Sequence, residues 1–138
     1  MSATGTPLAK KLGIRPGDRV ALLHAPDRFE LETLGELPPG VSLRRRARGP
    51  LDVIVAFTGE RSALDRGLES WRRALDPAGG LWIAWPKRSS GVPTDLSDGS
   101  VREAGLATGL VDNKVCAIDA TWSALRFVVR LADRPPLG

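Results

Sequence analysis

The chain has 138 residues, of which 42% are hydrophobic and 26% charged, and its twenty basic and sixteen acidic side chains give a formal net charge of +4. This mix is typical of one soluble domain, which we expect to occupy residues 1–138 with a frayed tail at 136–138. No apolar run approaches the ~20 residues of a membrane-spanning helix, and the N-terminus lacks a signal-peptide core.

The first half of the chain has the pattern of an α/β protein. Thr6 and Pro7, followed by two leucines and then Gly13, predict a short first helix. The continuous apolar runs at 19–24 and 51–57 predict two strands that are buried on both faces of a parallel sheet. Between these runs, residues 28–36 have a helical pattern, and residues 41–47 predict a further strand.

A long helix and a central strand follow. We expect Ser62 to cap the helix together with Asp65, as in a capping box. One face of this helix carries an apolar stripe: Leu64, Leu68, Trp71 and Leu75. The segment 76–80 ends the helix. Both faces of the next predicted strand, 81–85, are apolar, which indicates a strand covered by helices on both sides.

The last part of the chain predicts a helix at 101–108 and then a hairpin. Residues 111–119 and 124–131 have the composition of strands, and the short connection between them makes the pair antiparallel. Alternating strands and helices closed by a hairpin predict a three-layer α/β/α domain. We expect a mostly parallel sheet of about six strands with an antiparallel C-terminal strand.

This order of elements resembles the methyltransferases that use S-adenosylmethionine. Leu12-Gly-Ile-Arg-Pro-Gly-Asp-Arg-Val20 resembles the segment before that family's first strand, and Leu75-Asp-Pro-Ala-Gly-Gly-Leu-Trp82 resembles the turn before its fifth strand. The resemblance covers about residues 8–131 and implies a Rossmann-like fold, shortened by one strand and helix between Ala47 and Leu51. It also implies that strand 124–131 lies between strands 81–85 and 114–119.

Three further segments resemble a family of small bacterial proteins with no assigned activity. They are Trp-Pro-Lys-Arg-Ser-Ser-Gly-Val-Pro-Thr-Asp-Leu at 85–96, Val-Asp-Asn-Lys-Val-Cys-Ala-Ile-Asp at 111–119 and Trp-Ser-Ala-Leu-Arg-Phe at 122–127. This resemblance spans nearly the whole chain and implies no reaction.

Two cofactor-holding features of methyltransferases are missing. The family follows its first strand with a glycine-rich turn and holds the ribose hydroxyls with a carboxylate after its second strand. Here the first position reads Leu-His-Ala-Pro-Asp-Arg at 23–28, without glycine, and the second reads Arg-Arg-Arg-Ala-Arg at 44–48. We therefore expect no cofactor, no binding of S-adenosylmethionine, and a non-catalytic domain that binds a ligand or a protein.

The loop after strand 81–85 is the strongest candidate site. Ligands of α/β proteins bind where strands end, and this loop is dense in polar side chains. The hairpin turn should emerge beside it, which would place a tryptophan face next to charges and hydroxyls. The candidate set for an anionic ligand is Lys87, Arg88, Ser89, Thr94, Asp95, Asp119, Thr121, Trp122 and, after the first strand, His24. Alternatively, Thr94 or Asp95 only caps the following helix, or a surface salt bridge pins the loop.

The other candidates have simpler interpretations. His24 could carry protons, and a small enzyme using His24 with Asp95 or Asp119 is the alternative function, but a histidine held by a local backbone group is commoner.

One histidine and one cysteine cannot supply a zinc site, so no metal is expected. The lone Cys116 forms no internal disulfide and suits a cytoplasmic protein. The arginines at 44–48 could bind phosphate or an acidic partner, or could equally protect the edge of the sheet from pairing with another strand. A nucleic-acid or membrane partner is not expected.

Overall fold

The computed structural model describes residues 7–134, without the side chains of Leu31 and Glu32. Six strands form one sheet in the order β2-β1-β3-β4-β6-β5. The strands are β1 (Arg19–Leu23), β2 (Ser42–Arg44), β3 (Leu51–Phe57), β4 (Leu75–Pro86), β5 (Leu110–Ala117) and β6 (Trp122–Val129), and the α-helices are α1 (Leu8–Lys11), α2 (Arg61–Ala74) and α3 (Asp98–Ala107).

The direction of the strands confirms the predicted topology. β2, β1, β3 and β4 run parallel to one another, whereas β6 is antiparallel to both β4 and β5. The last strand lies between β4 and β5, which is the position that the sequence resemblance implied. The domain therefore has the mixed α/β sheet of a Rossmann-like, methyltransferase-like fold.

The sheet separates two apolar cores, because alternate residues of each buried strand point to opposite faces. In β1, Ala21 and Leu23 face the core beneath α2 and α3, while Val20 and Leu22 face the core beneath α1. α2 is fourteen residues long, and no helix of the described residues is both long and apolar enough to cross a membrane. The three predicted layers are confirmed.

Several local predictions are wrong. The segment at 28–36 forms a five-residue π-helical turn, Glu30–Leu34, closed by the bond from the Gly35 N–H to the Glu30 carbonyl. The strand at 41–47 is shortened to β2. Ser62 does not cap α2, which begins one residue earlier at Arg61. Thr6 and the tail at 136–138 lie outside the described residues.

β4 begins at Leu75, although the sequence predicts that Leu75 belongs to the preceding helix and that residues 76–80 form the turn after it. The register between β3 and β4 shifts from Leu51↔Leu75 to Val53↔Gly80, so the extra residues are taken up in an irregularity of the ladder. Gly79 allows this, because a Cβ there would lie only 2.6 Å from the Asp52 carbonyl oxygen. The absence of a side chain at this close backbone approach therefore lets residues 76–80 extend the strand.

An ion pair fixes β1 against β3 at the start of both strands. The Asp52 carboxylate accepts hydrogen bonds from the Arg19 backbone N–H at 2.7 Å and from the Arg19 Nε at 3.0 Å. The side-chain hydrogen bond from Arg19 holds the pKa of Asp52 below its usual value, and the same bond raises the pKa of Arg19. The two strands whose far ends build the candidate site are thus held in one register.

Candidate functional site at the ends of β1 and β3

The strand order reverses at β1. The chain passes from β1 to β2 on one side and then returns past β1 to β3 on the other. The connections therefore diverge at the carboxyl ends of β1 and β3, and this is the switch point where doubly wound sheets bind ligands. Two open clefts of about 540 Å³ and 420 Å³ lie there, and His24 lines both.

The turn after β1 has a left-handed backbone without glycine. His24 has φ 57° and Arg28 has φ 65°, and such values are uncommon for residues with a Cβ. The His24 side chain is exposed, and no hydrogen bond joins its imidazole to another residue of the described chain. The expectation that a backbone group holds His24 is therefore wrong. Strained backbone persists where surrounding structure imposes it, and it clusters at functional sites.

The first cleft lies between this turn and the π-helical turn. Phe29 forms its apolar wall and packs edge-on against Phe57, with ring centroids 5.0 Å apart. Glu30 and Arg45 also line the cleft and form an ion pair with each other. Arg45 follows β2, so a guanidinium lines this side of the cleft.

The second cleft lies between the end of β3 and α2. Thr58, Gly59 and Glu60 form its strand side, and Ala63, Arg66, Gly67 and Trp71 form its helix side. The Trp71 indole lies against the helix because Gly67 has no side chain: a Cβ there would be 2.2 Å from the ring. In the sequence, Trp71 has only the signature of a core residue on the helix stripe, and no pattern singles out Arg66 or Gly67.

The structure brings Lys87 to the hairpin tip, as the sequence predicts. The Lys87 Nζ donates to the Asp119 carbonyl at 2.8 Å, and the Lys87 N–H donates to the Thr121 carbonyl at 2.8 Å. The Asp119 carboxylate accepts the backbone N–H groups of Thr121 and Trp122, each at 2.8 Å. The Trp122 ring packs against Phe57 with centroids 5.0 Å apart. These groups hold the turn in place.

The loop's other polar groups are directed towards α2. Asp95 accepts a hydrogen bond from the Arg61 N–H at 2.8 Å, which is the first helical amide of α2. Thr94 Oγ1 donates to the Gly59 carbonyl at 2.6 Å. Neither residue caps α3, which is capped by a reciprocal Ser97–Ser100 pair. Thr94 and Asp95 are therefore anchors between the loop and the rim of the second cleft.

Arg88 and Ser89 lie in a short 3₁₀ turn, Arg88–Ser90, and both are exposed. Arg88 and Lys87 line a separate cleft of about 280 Å³ beside Trp85 and the start of α3. Trp85 is 6% exposed, so it is a core residue rather than a stacking surface. Within residues 7–134, no three His, Cys, Asp or Glu side chains are grouped closely enough to hold a metal ion.

Removing both anchors of the loop is expected to destabilise the domain. For Thr94→Val with Asp95→Ala, we expect the free energy of unfolding to fall by about 2 kcal/mol, since the acceptor of the first α2 amide and the part-buried hydrogen bond to Gly59 are lost together. Urea denaturation measures this, with Ser89→Ala in the same loop as the matched control, expected within about 0.5 kcal/mol of wild type. A double variant as stable as wild type would show that these groups do not anchor the loop.

No family model and no curated protein matches the sequence. Solved structures do match the fold. A methyltransferase dependent on S-adenosylmethionine from Aquifex aeolicus superposes with a TM-score of 0.64 at 14% identity, covering 87% of this chain and 86% of that chain. A TehB-like methyltransferase from Corynebacterium glutamicum gives 0.58 at 11%, covering 90% and 86%. Magnesium protoporphyrin IX methyltransferase from Synechocystis, solved with bound S-adenosylhomocysteine, gives 0.56 at 11%, covering 89% and 79%. At these identities the likeness shows a methyltransferase-like fold.

Proposed function

We propose that this chain is a non-catalytic binding domain that takes a small polar ligand at the two clefts around His24. The observation that carries the proposal is their position: they adjoin at the topological switch point, where open α/β sheets bind ligands. Arg45 and Arg66 line them with guanidinium donors, which suit a ligand with an anionic group. The resemblance at 85–96, 111–119 and 122–127 supports placing the chain with the small bacterial family described above.

The residues present do not fit S-adenosylmethionine, and we propose that the domain does not use it. The turn after β1 keeps the left-handed backbone that glycine favours, but side chains at His24 and Arg28 line the first cleft, where glycines would let a cofactor approach the backbone. After the second strand, methyltransferases have a carboxylate and this chain has Arg45. A guanidinium only donates hydrogen bonds, so Arg45 cannot accept one from a ribose hydroxyl. Both differences support a domain that keeps the methyltransferase-like fold but uses it for binding and not for methyl transfer.

The two carboxylates that the sequence offered as proton carriers beside His24 are engaged elsewhere. Asp95 accepts an α2 amide, and Asp119 accepts two amides of the hairpin turn. Neither is among the described residues that line the clefts around His24. We therefore do not propose a reaction that pairs His24 with Asp95 or Asp119.

A fragment screen by ¹H–¹⁵N NMR tests this proposal. With a library of small polar carboxylates and phosphates, we expect chemical-shift changes at the backbone amides of Ala25, Gly59 and Gly67, which line the two clefts. Ala63→Trp should abolish the changes at Gly59 and Gly67, because the larger side chain fills the second cleft. Val115→Trp, on the exposed face of β5, is the matched control and should leave them intact. Changes confined to residues 87–97 would place the site in the loop after β4 and contradict the proposal.

A further inference from the structure

Four arginines surround one cleft beside β2. Arg44, Arg45, Arg46 and Arg48 alone line an opening of about 390 Å³. The chain turns back after the strand, with the Arg48 N–H donating to the Arg46 carbonyl at 2.9 Å. The Arg44 guanidinium contacts the Arg48 carbonyl at 3.4 Å, so the turn is folded onto the end of the strand. In a straight strand, these arginine side chains would alternate between the two faces of the sheet. The turn instead brings them together around one cleft.

The charge of this arginine cleft is largely uncompensated. Glu30 forms an ion pair with Arg45. No carboxylate of the described chain lies within ion-pair distance of the other three arginines. Like charges held together favour a multivalent anion, which relieves their repulsion, and guanidinium groups match phosphate oxygens bidentately.

The position of the arginine cleft also indicates a phosphate ligand. In doubly wound folds, an arginine after the second strand accommodates a ribose phosphate, where a carboxylate would hold a free hydroxyl. Arg45 follows β2 and lines both the arginine cleft and the first cleft beside His24. A phosphorylated molecule held by the arginines would thus lie next to the switch point of the sheet.

We propose that Arg44, Arg45, Arg46 and Arg48 form a binding site for the phosphate groups of a small polyphosphorylated molecule. The site goes beyond the binding function proposed above, because it does not require the clefts around His24 to be occupied. The competing explanation is that the arginines only protect β2, which is an edge strand, from pairing with another sheet.

Calorimetric titration with inorganic pyrophosphate and tripolyphosphate at low salt tests the site. We expect wild type to bind tripolyphosphate more tightly than pyrophosphate. Arg46→Gln with Arg48→Gln should weaken pyrophosphate binding by about tenfold or more, since two charge-assisted contacts are lost. The matched control, Arg72→Gln with Arg73→Gln, removes the same charge from the exposed end of α2 and should change the affinity by less than about twofold. Glu30→Gln should tighten binding, because it releases Arg45.

Four outcomes would overturn the proposal: no pyrophosphate binding by folded wild type, equal weakening in both double variants, self-association of the Arg46/Arg48 variant with unchanged affinity, or binding that requires an oligonucleotide. Far-ultraviolet circular dichroism establishes that each variant is folded. Ala63→Trp separates the two proposals, since it blocks the second His24 cleft and should leave pyrophosphate affinity unchanged. Loss of fragment binding at that cleft with retained pyrophosphate binding supports an independent arginine site.

Discussion

Trp82→Ala is expected to lower the free energy of unfolding by about 3–5 kcal/mol, a large share of the about 5–15 kcal/mol that stabilises a typical domain. Trp82 is 1% exposed in the central strand β4. Its indole Nε1–H donates to the Leu12 carbonyl at 2.9 Å, across seventy residues of sequence. The substitution removes a large side chain from the core beneath α1 and leaves the Leu12 carbonyl without its indole donor.

Trp82→Phe separates these two effects and remains measurable if the alanine variant does not fold. It keeps an aromatic ring but loses the donor, so we expect a smaller loss of about 1–3 kcal/mol. Urea denaturation of both variants is compared with Val115→Ala, whose side chain is 67% exposed and whose loss should cost less than about 0.5 kcal/mol. If Trp82→Phe were as stable as wild type, the bond to Leu12 would not fasten the first segment to the sheet.

The sheet could be predicted because its strands carry their own signals. The runs at 19–24 and 51–57 are apolar on both faces, and the structure places β1 and β3 inside the sheet. The order of the last three strands was implied by the resemblance of Leu12–Val20 and Leu75–Trp82 to methyltransferase segments. Trp82 joins these two distant segments, since its indole donates to the carbonyl of Leu12, the residue that follows α1.

The predictions of local elements failed where long-range contacts determine the backbone conformation. Periodicity cannot distinguish a π-helical turn from an α-helix in a five-residue segment such as Glu30–Leu34. The extension of β4 to Leu75 depends on the close approach of Gly79 to β3, which only the assembled sheet shows. Ser62 looked like a helix cap, but the group that bonds the first amide of α2 is Asp95, thirty-four residues away.

The candidate loop shows why polar composition alone does not identify a ligand site. Lys87, Thr94, Asp95 and Asp119 were selected as charged or hydroxyl groups at strand ends, and strand ends are indeed where they lie. Each of them contacts protein backbone in the structure. A side chain that caps a turn and one that binds a ligand have the same sequence signature, because both need a donor or acceptor beside a chain reversal.

The arrangement around His24 was only partly visible in sequence. His24 was selected as the single histidine at a strand end, and Arg45 belonged to a recognised basic run. Arg66, Gly67 and Trp71 resembled ordinary residues of an amphipathic helix, and their place on the second cleft follows from the packing of α2 beside β3. The missing glycines at 23–28 were the clearest signal, because they contrast with the fold that the rest of the chain predicts.

Titration of the folded domain with S-adenosylmethionine and S-adenosylhomocysteine measures whether this methyltransferase-like fold binds the cofactor of the proteins that it resembles. We expect no measurable heat with either compound up to about 1 mM, because the turn after β1 carries the side chains of His24 and Arg28 instead of glycines, and an arginine rather than a carboxylate follows β2. The domain must still unfold cooperatively in urea, so that absence of binding is a property of the native state. A dissociation constant of about 1–10 μM for either compound would contradict this expectation and restore the hypothesis that the domain is an enzyme.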